Sequence, residues 1–181
     1  MGAALLVIDV QRGLFDSEPR PFDAHAVVER INQLAARARA AHAPVIYIQH
    51  ERASGFLQAG SDSWALYRGL TPEPGDHRLR KTTPDAFLRT ELSGMLAAAG
   101  ATRLVVCGYA TEFCVDSTAR RAAALGFAVT LAADAHTTHD KDHASAALIR
   151  AHHNATLPGM TSFGPLLSAV PAAAVDFGAA A

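Results

Sequence analysis

Short apolar runs alternate with longer amphipathic segments along this 181-residue chain, and this alternation constrains its fold more than any other feature. Continuous apolar runs of four to eight residues are typical of parallel strands that are buried on both faces. The segment 24–42 instead carries its apolar residues at helical spacing. The predicted strands are ALLVID (4–9), PVIYIQH (44–50), TRLVVCG (102–108) and FAVTLAAD (127–134).

The remaining segments extend the same alternation to the end of the chain. They predict a short edge strand at 77–81, helices at 91–100, 112–125 and 140–157, and a last edge strand in PAAAVDF (171–177). Strands that alternate with helices indicate a mostly parallel sheet with helices on both faces. We therefore predict one domain over 1–181, an α/β fold built as a three-layer α/β/α sandwich with a Rossmann-like doubly wound sheet.

Charge and composition exclude several classes of partner. The net charge is −1 with 18% charged residues, and no basic stretch indicates a nucleic-acid surface. No apolar run approaches the roughly 20 residues of a membrane span. The start, MGAALLVIDV, lacks the basic segment of a secretion signal. We expect a cytoplasmic protein that binds a small molecule and neither nucleic acid nor membrane.

Polar side chains follow the predicted strands at the point where each strand ends. Asp9 ends the first strand, His50 the second and Lys81 the third, and Cys114 lies in the turn after the fourth. Open α/β sheets bind ligands beyond the carboxyl ends of their strands. The same edge of the sheet is therefore the predicted site, to which Asp134 and His136, at and after the end of the fifth strand, also belong.

Asp9, Lys81 and Cys114 form a set that suits nucleophilic catalysis. A cysteine attacks as its thiolate, so a base must take its proton, and Asp9 is the candidate base. If Thr111 caps the following helix, Cys114 lies in the first turn, where the helix dipole favours a thiolate and free N–H groups offer an oxyanion hole. The alternatives are a strand-end cap for Asp9, a solvated edge lysine for Lys81 and an inert helix cysteine for Cys114, and we interpret Cys107 as a small buried hydrophobe.

Four stretches of this chain together resemble the isochorismatase-like cysteine hydrolases, whose members include nicotinamidases, N-carbamoylsarcosine amidases, streptothricin hydrolases and ureidoacrylate amidohydrolases. The resemblance runs from about residue 4 to residue 157. It also implies a homodimer or a homotetramer, since the family commonly forms such oligomers. The stretches are ALLVIDVQRGLFD, RKTTPDAF, VVCGYATEFCVDSTARRA and VTLAADAHTTHD.

The resemblance assigns roles to individual residues. It implies that Asp9 is the general base, Lys81 the supporting cation and Cys114 the nucleophile. It further implies a cis peptide bond between Tyr109 and Ala110, and an oxyanion hole made by the backbone N–H groups of Ala110 and Cys114.

Several side chains are candidates for the wall of a substrate pocket, because aromatic residues on loops near a strand-end cleft often line one. Gln11 either contacts the site or caps a turn. Core or interface packing is the alternative for each aromatic residue. The candidates are Gln11, Phe15, Phe56, Trp64 and Tyr109.

A metal is not expected, and neither is another cofactor. Some members of the resembled family hold a divalent ion with an Asp-x-His after the second strand, whereas here Ile48 stands two residues before His50. His136, His139 and His143 have metal-like spacing that would suit one helical face, but their positions past the fifth strand favour the rim of the site or a solvated cap. His152 and His153 are interpreted as structural or as subunit contacts.

The predicted activity is hydrolysis of a non-peptide C–N bond in a small amide or carbamoyl compound, through a thioester on Cys114. One alternative is an isochorismatase that hydrolyses a vinyl ether. Another is a non-catalytic binding protein that responds to oxidation of Cys114. The sequence does not name the substrate, because the loop 51–77 matches no single specificity.

Overall fold

The computed structural model describes residues 2–164 and 166–178. Within these ranges every paired strand runs parallel in one sheet of order β3-β2-β1-β4-β5-β6. This is the order of the doubly wound Rossmann sheet, so the predicted fold class is confirmed. The strands are β1 (Gly2–Ile8), β2 (Val45–His50), β3 (His77–Lys81), β4 (Ala101–Tyr109), β5 (Ala128–Thr137) and β6 (Leu167–Val170).

Helices cover both faces of the sheet, because central strands such as β1 have apolar residues on both faces. Residues 3, 5 and 7 of β1 face one apolar core, where Val27 and Ile31 of α2 pack. Residues 4, 6 and 8 face a second core with Leu92 of α3 and Ala119 of α4. The helices are α1 (Arg12–Phe15), α2 (Ala24–Ala40), α3 (Leu92–Ala98), α4 (Asp116–Ala124) and α5 (Ala146–Thr156), and a π-helical turn (Thr111–Val115) precedes α4.

Two predicted elements at the far edge of the sheet differ from those observed. Strand β5 continues to Thr137, three residues beyond the predicted end. The final edge strand is β6, and PAAAVDF, where it was predicted, instead contains a short 3₁₀ turn at Ala172–Ala174. Proline lacks the N–H that a strand ladder needs, and Leu167 already pairs with Val129 of β5.

Gly108 fixes how closely β4 approaches β1 at the carboxyl end of the sheet. Its φ is +113°, and a Cβ placed there would lie 2.1 Å from the carbonyl oxygen of Ile8. Only glycine fits this position, since any side chain would force the two strands apart. The close approach brings Asp9, which follows Ile8, towards the turn that follows Tyr109. No helix of the described ranges is long and apolar enough to cross a membrane.

Candidate active site

The register of the central strands collects the predicted site residues at one edge of the sheet. Ile8 pairs with Ile48 on one side and with Gly108 on the other, and His50 pairs with Lys81. Asp9 has a φ of +51°, a left-handed conformation that aspartate tolerates better than most residues. Strain of this kind concentrates at functional sites.

Lys81 and Asp9 form a buried ion pair at this edge. The Lys81 Nζ lies 2.7 Å from Oδ2 of Asp9, and each residue is only 2% exposed. The ammonium also donates to the carbonyl oxygen of Thr83 at 3.2 Å and lies 3.3 Å from Nδ1 of His50. Its three protons therefore all have acceptors. The interpretation of Lys81 as a solvated edge lysine is wrong, because its side chain points inward beneath the site.

His50 is neutral at this site and accepts from Lys81 at Nδ1. Burial lowers the pKa of His50, and the positive charge of Lys81 lowers it further. One carboxylate oxygen of Asp9, one ring nitrogen of His50 and the Sγ atom of Cys114 lie within 4.8 Å of one another. The structure therefore brings Asp9, Lys81 and Cys114 together, with His50 beside them.

Cys114 lies in the π-helical turn, and Ala110 precedes that turn. The Ala110 carbonyl accepts from the N–H groups of Phe113 and Val115, at 3.1 Å in each case. The peptide bond between Tyr109 and Ala110 is cis. Thr111 is not the cap that the sequence suggested, because Ala110 occupies the capping position and the Thr111 hydroxyl bonds to His136 instead.

The thiol of Cys114 is protonated at neutral pH. Burial raises the pKa of Cys114 to about 12, the negative charge of Asp9 adds to the rise, and Lys81 opposes it. The helix dipole was expected to favour a thiolate in this turn, but burial and the charge of Asp9 outweigh the opposing charge of Lys81. The Oδ1 atom of Asp9 is buried and has no hydrogen-bond partner among the described residues, which leaves it free to accept a proton.

A buried hydrogen-bonded chain attaches the π-helical turn to the rest of the domain. The Nδ1 atom of His136 lies 2.8 Å from the Thr111 hydroxyl, and its Nε2 atom lies 2.9 Å from Oδ1 of Asn154. His136 belongs to β5 and is fully buried, and both His139 and His143 precede α5. Because β5 continues through His136, this residue does not share a helical face with His139 and His143.

We expect His136 to make stability fall as the pH falls from about 6.5 to about 4. Burial lowers the pKa of His136 to about 4, so the unfolded chain takes up a proton in this window and the folded chain does not. The resulting loss of unfolding free energy is about 3 kcal/mol. Urea unfolding at several pH values should show a flatter profile for His136→Gln than for the wild type. Replacing the exposed His25 by Gln is the control, and equal slopes in wild type and His136→Gln would contradict the prediction.

A cavity of about 230 Å³ opens beside Cys114 at the candidate site. Asp9, His50 and Arg52 line it together with the cysteine. The other lining side chains are mostly apolar: Leu14, Phe56, Leu57, Pro84, Tyr109 and Phe113. A larger depression of about 740 Å³ lies along β3, but none of Asp9, Lys81 and Cys114 lines it.

Two of the five predicted pocket residues line this cavity, namely Tyr109 and Phe56. Gln11 does not, because its side-chain amide is fully buried and bonds to the backbone of His50 and Trp64. Phe15 is 1% exposed and packs in the core against Tyr67 and Tyr109.

Trp64 lines the larger depression beside β3 instead of the cavity. The sequence analysis missed Arg52, Leu57 and Phe113 as lining residues. Arg52 follows His50 by two residues, so its position after the second strand was an available signal.

The oxygen, nitrogen and sulfur atoms of Asp9, His50 and Cys114 form a set that zinc accepts elsewhere. Here the Lys81 ammonium lies against both Asp9 and His50, where it supplies the positive charge that a metal would bring. A divalent ion beside this buried cation would be repelled by it. Ile48 faces the apolar core, away from the site. The geometry therefore fits an ammonium-supported site better than a metal centre.

The chain is similar to known proteins both in sequence and in fold. The isochorismatase domain profile matches residues 3–162. A streptothricin hydrolase from Streptomyces noursei is 43% identical over 138 residues, which cover 76% of this chain and 50% of the relative. A ureidoacrylate amidohydrolase from Methylorubrum extorquens is 33% identical, over 64% of this chain and 62% of the relative.

A crystal structure of an isochorismatase family protein superposes with a TM-score of 0.85 at 37% identity, covering 93% of this chain and 97% of that one. The chain spans about half the length of the two streptothricin hydrolases that it matches.

Proposed function

Because this chain belongs to the isochorismatase family, we propose that it hydrolyses a non-peptide C–N bond of a small amide or carbamoyl compound through a thioester on Cys114. The observation that carries the proposal is the buried Lys81–Asp9 pair, whose carboxylate lies beside Cys114 and bonds to Lys81 through Oδ2. Relatives named as streptothricin hydrolase and ureidoacrylate amidohydrolase support the class of reaction.

The first half of the reaction forms the thioester. The Sγ atom of Cys114 attacks the carbonyl carbon while Oδ1 of Asp9 takes the thiol proton, so no free thiolate has to persist in the buried site. The carbonyl electrons move to oxygen, which the N–H groups of Ala110 and Cys114 stabilise. Collapse of this intermediate breaks the C–N bond, and the nitrogen leaves as ammonia or an amine with the proton from Asp9.

The second half regenerates the enzyme. Asp9 takes a proton from a water molecule that attacks the thioester carbonyl, and the C–S bond then breaks. The proton returns to the Cys114 sulfur and the acid product leaves. Lys81 fixes the Asp9 carboxylate through Oδ2 in both halves, which leaves Oδ1 as the atom that carries the proton.

A substrate panel tests the proposal. Primary amides, N-carbamoyl compounds and a vinyl ether of comparable size are incubated with the protein, with and without a strong chelator. We expect ammonia or amine release from at least one amide or carbamoyl compound, at a rate that the chelator leaves unchanged. Release of a carbonyl product from the vinyl ether alone would indicate the isochorismatase reaction instead. Oxidation of Cys114 with no turnover of any compound would indicate the redox-responsive binding protein.

A further inference from the structure

The walls of the cavity beside Cys114 carry one charge that nothing neutralises. The Asp9 carboxylate is paired with Lys81, and His50 is neutral because burial and Lys81 lower its pKa. Among the residues described, ten arginines have an ion-pair partner or a side-chain hydrogen bond, and Arg52, Arg68, Arg78 and Arg89 have neither. Of these four, Arg52 is the one that lines the cavity. The cavity therefore has mostly apolar walls, and Arg52, whose charge acts on the neighbouring His50, is its one lining residue with an unpaired charge among the residues described.

The chain holds Arg52 at this wall through its backbone. The Arg52 N–H donates to the carbonyl oxygen of Leu57 at 3.1 Å, and a β-bridge joins Arg52 to Gln58, so the loop between them is closed. The adjacent carboxylate, Glu51, is engaged by Arg80 through two hydrogen bonds of 2.5 and 3.1 Å. Glu51 therefore pairs with Arg80 and not with Arg52, so the positive charge of Arg52 can pair with a ligand in the cavity.

We propose that Arg52 is a substrate-binding residue and that the substrate is a small amide carrying a carboxylate. That the substrate is an amide rests on the proposed function. That it carries a carboxylate rests only on the residues that line the cavity. The guanidinium offers parallel N–H donors that match a carboxylate in a bidentate pair. The apolar walls formed by Leu14, Phe56 and Phe113 suit the carbon chain that joins the two groups. A cavity of about 230 Å³ admits a compact molecule of this kind.

The charge preference of the cavity is measurable without knowing the substrate. Iodoacetate and iodoacetamide are nearly isosteric, and both alkylate a cysteine, but only iodoacetate carries a carboxylate. The rates at Cys114 are measured at pH 9 by peptide mapping, and each is divided by the rate of a small free thiol in the same buffer. Cys107 does not interfere, because it is fully buried and burial raises its pKa.

We expect the normalised ratio of iodoacetate to iodoacetamide to fall about tenfold in Arg52→Met, with the iodoacetamide rate unchanged. The matched control is Arg89→Met, which removes another exposed and unpaired arginine that lines the depression beside β3. It should leave the ratio at the wild-type value. Salt screens the attraction between Arg52 and the carboxylate of iodoacetate, so it should lower the normalised ratio in the wild type and in Arg89→Met. It should not lower the ratio in Arg52→Met.

An equal ratio in wild type and Arg52→Met would overturn the proposal. Failure of both reagents to reach Cys114 would overturn it as well, because the cavity would then be closed to a small carboxylate. A second arm compares turnover of amides that end in a carboxylate with amides of equal length that end in a methyl ketone. If the ketone-ended amides are turned over as fast as the carboxylate-ended ones, the role of Arg52 is refuted and the proposed reaction stands. If no amide is turned over but the alkylation ratio is as expected, the proposed reaction is refuted and the role of Arg52 in binding a carboxylate stands.

Discussion

Cys114→Ser is expected to lower kcat on the order of 10⁴-fold or more, with little change in the free energy of unfolding. The hydroxyl occupies nearly the same volume as the thiol, so the half-buried site keeps its packing. It is a much poorer nucleophile here, because Asp9 is a weak base for an alcohol. The measurement is kcat on the best amide of the panel, together with a urea unfolding curve of each protein.

The control is Cys107→Ser, the same substitution at the other cysteine of the chain. Cys107 belongs to β4 and packs in the apolar core, where its Sγ donates to the carbonyl oxygen of Leu6 at 3.4 Å. We expect Cys107→Ser to keep most of the activity at some cost in stability. Loss of activity in Cys107→Ser with retention in Cys114→Ser would show that the nucleophile was assigned to the wrong cysteine.

Lys81→Met is expected to destabilise the protein by about 3–5 kcal/mol and to lower activity strongly. The side chains of Lys81 and Asp9 are 0% and 3% exposed, so removing the ammonium leaves a carboxylate charge buried without a partner. The aliphatic part of methionine fills much of the space that the lysine side chain occupies. Urea unfolding at pH 7 measures the loss.

The double variant Asp9→Asn/Lys81→Met separates the two roles of the pair. It removes both charges, so we expect it to recover most of the stability lost in Lys81→Met. It should remain inactive, because asparagine cannot take the thiol proton. A double variant no more stable than Lys81→Met would contradict the assignment of the instability to an unpaired Asp9 carboxylate.

The sequence predicts the sheet well because its central strands are buried on both faces. A run such as ALLVID cannot alternate polar and apolar residues when β1 faces a core on each side. The position of the site is predictable as well, because Asp9, His50 and Lys81 lie at the carboxyl ends of three neighbouring parallel strands. At the carboxyl ends of the other strands, a site residue is predictable only where a sequence motif indicates it, as the motif around Cys114 does.

Features that depend on contacts between distant segments were not predictable. Thr111 was expected to cap a helix, but its hydroxyl reaches His136 across 25 residues of sequence. Gln11 was a pocket candidate, but its amide joins strand ends through His50, 39 residues away. The protonation of Cys114 depends on how deeply the turn is buried, which residue spacing does not contain.

The thioester itself is the most direct test of this account. The best amide of the panel is mixed with the protein, quenched in acid within one turnover, and the protein is digested and mapped by mass spectrometry. We predict a mass increase equal to the acyl group on the peptide that contains Cys114, and its removal by hydroxylamine at neutral pH. Rapid turnover with Cys114 unmodified at every quench time, or an acyl group on another residue, would contradict the account.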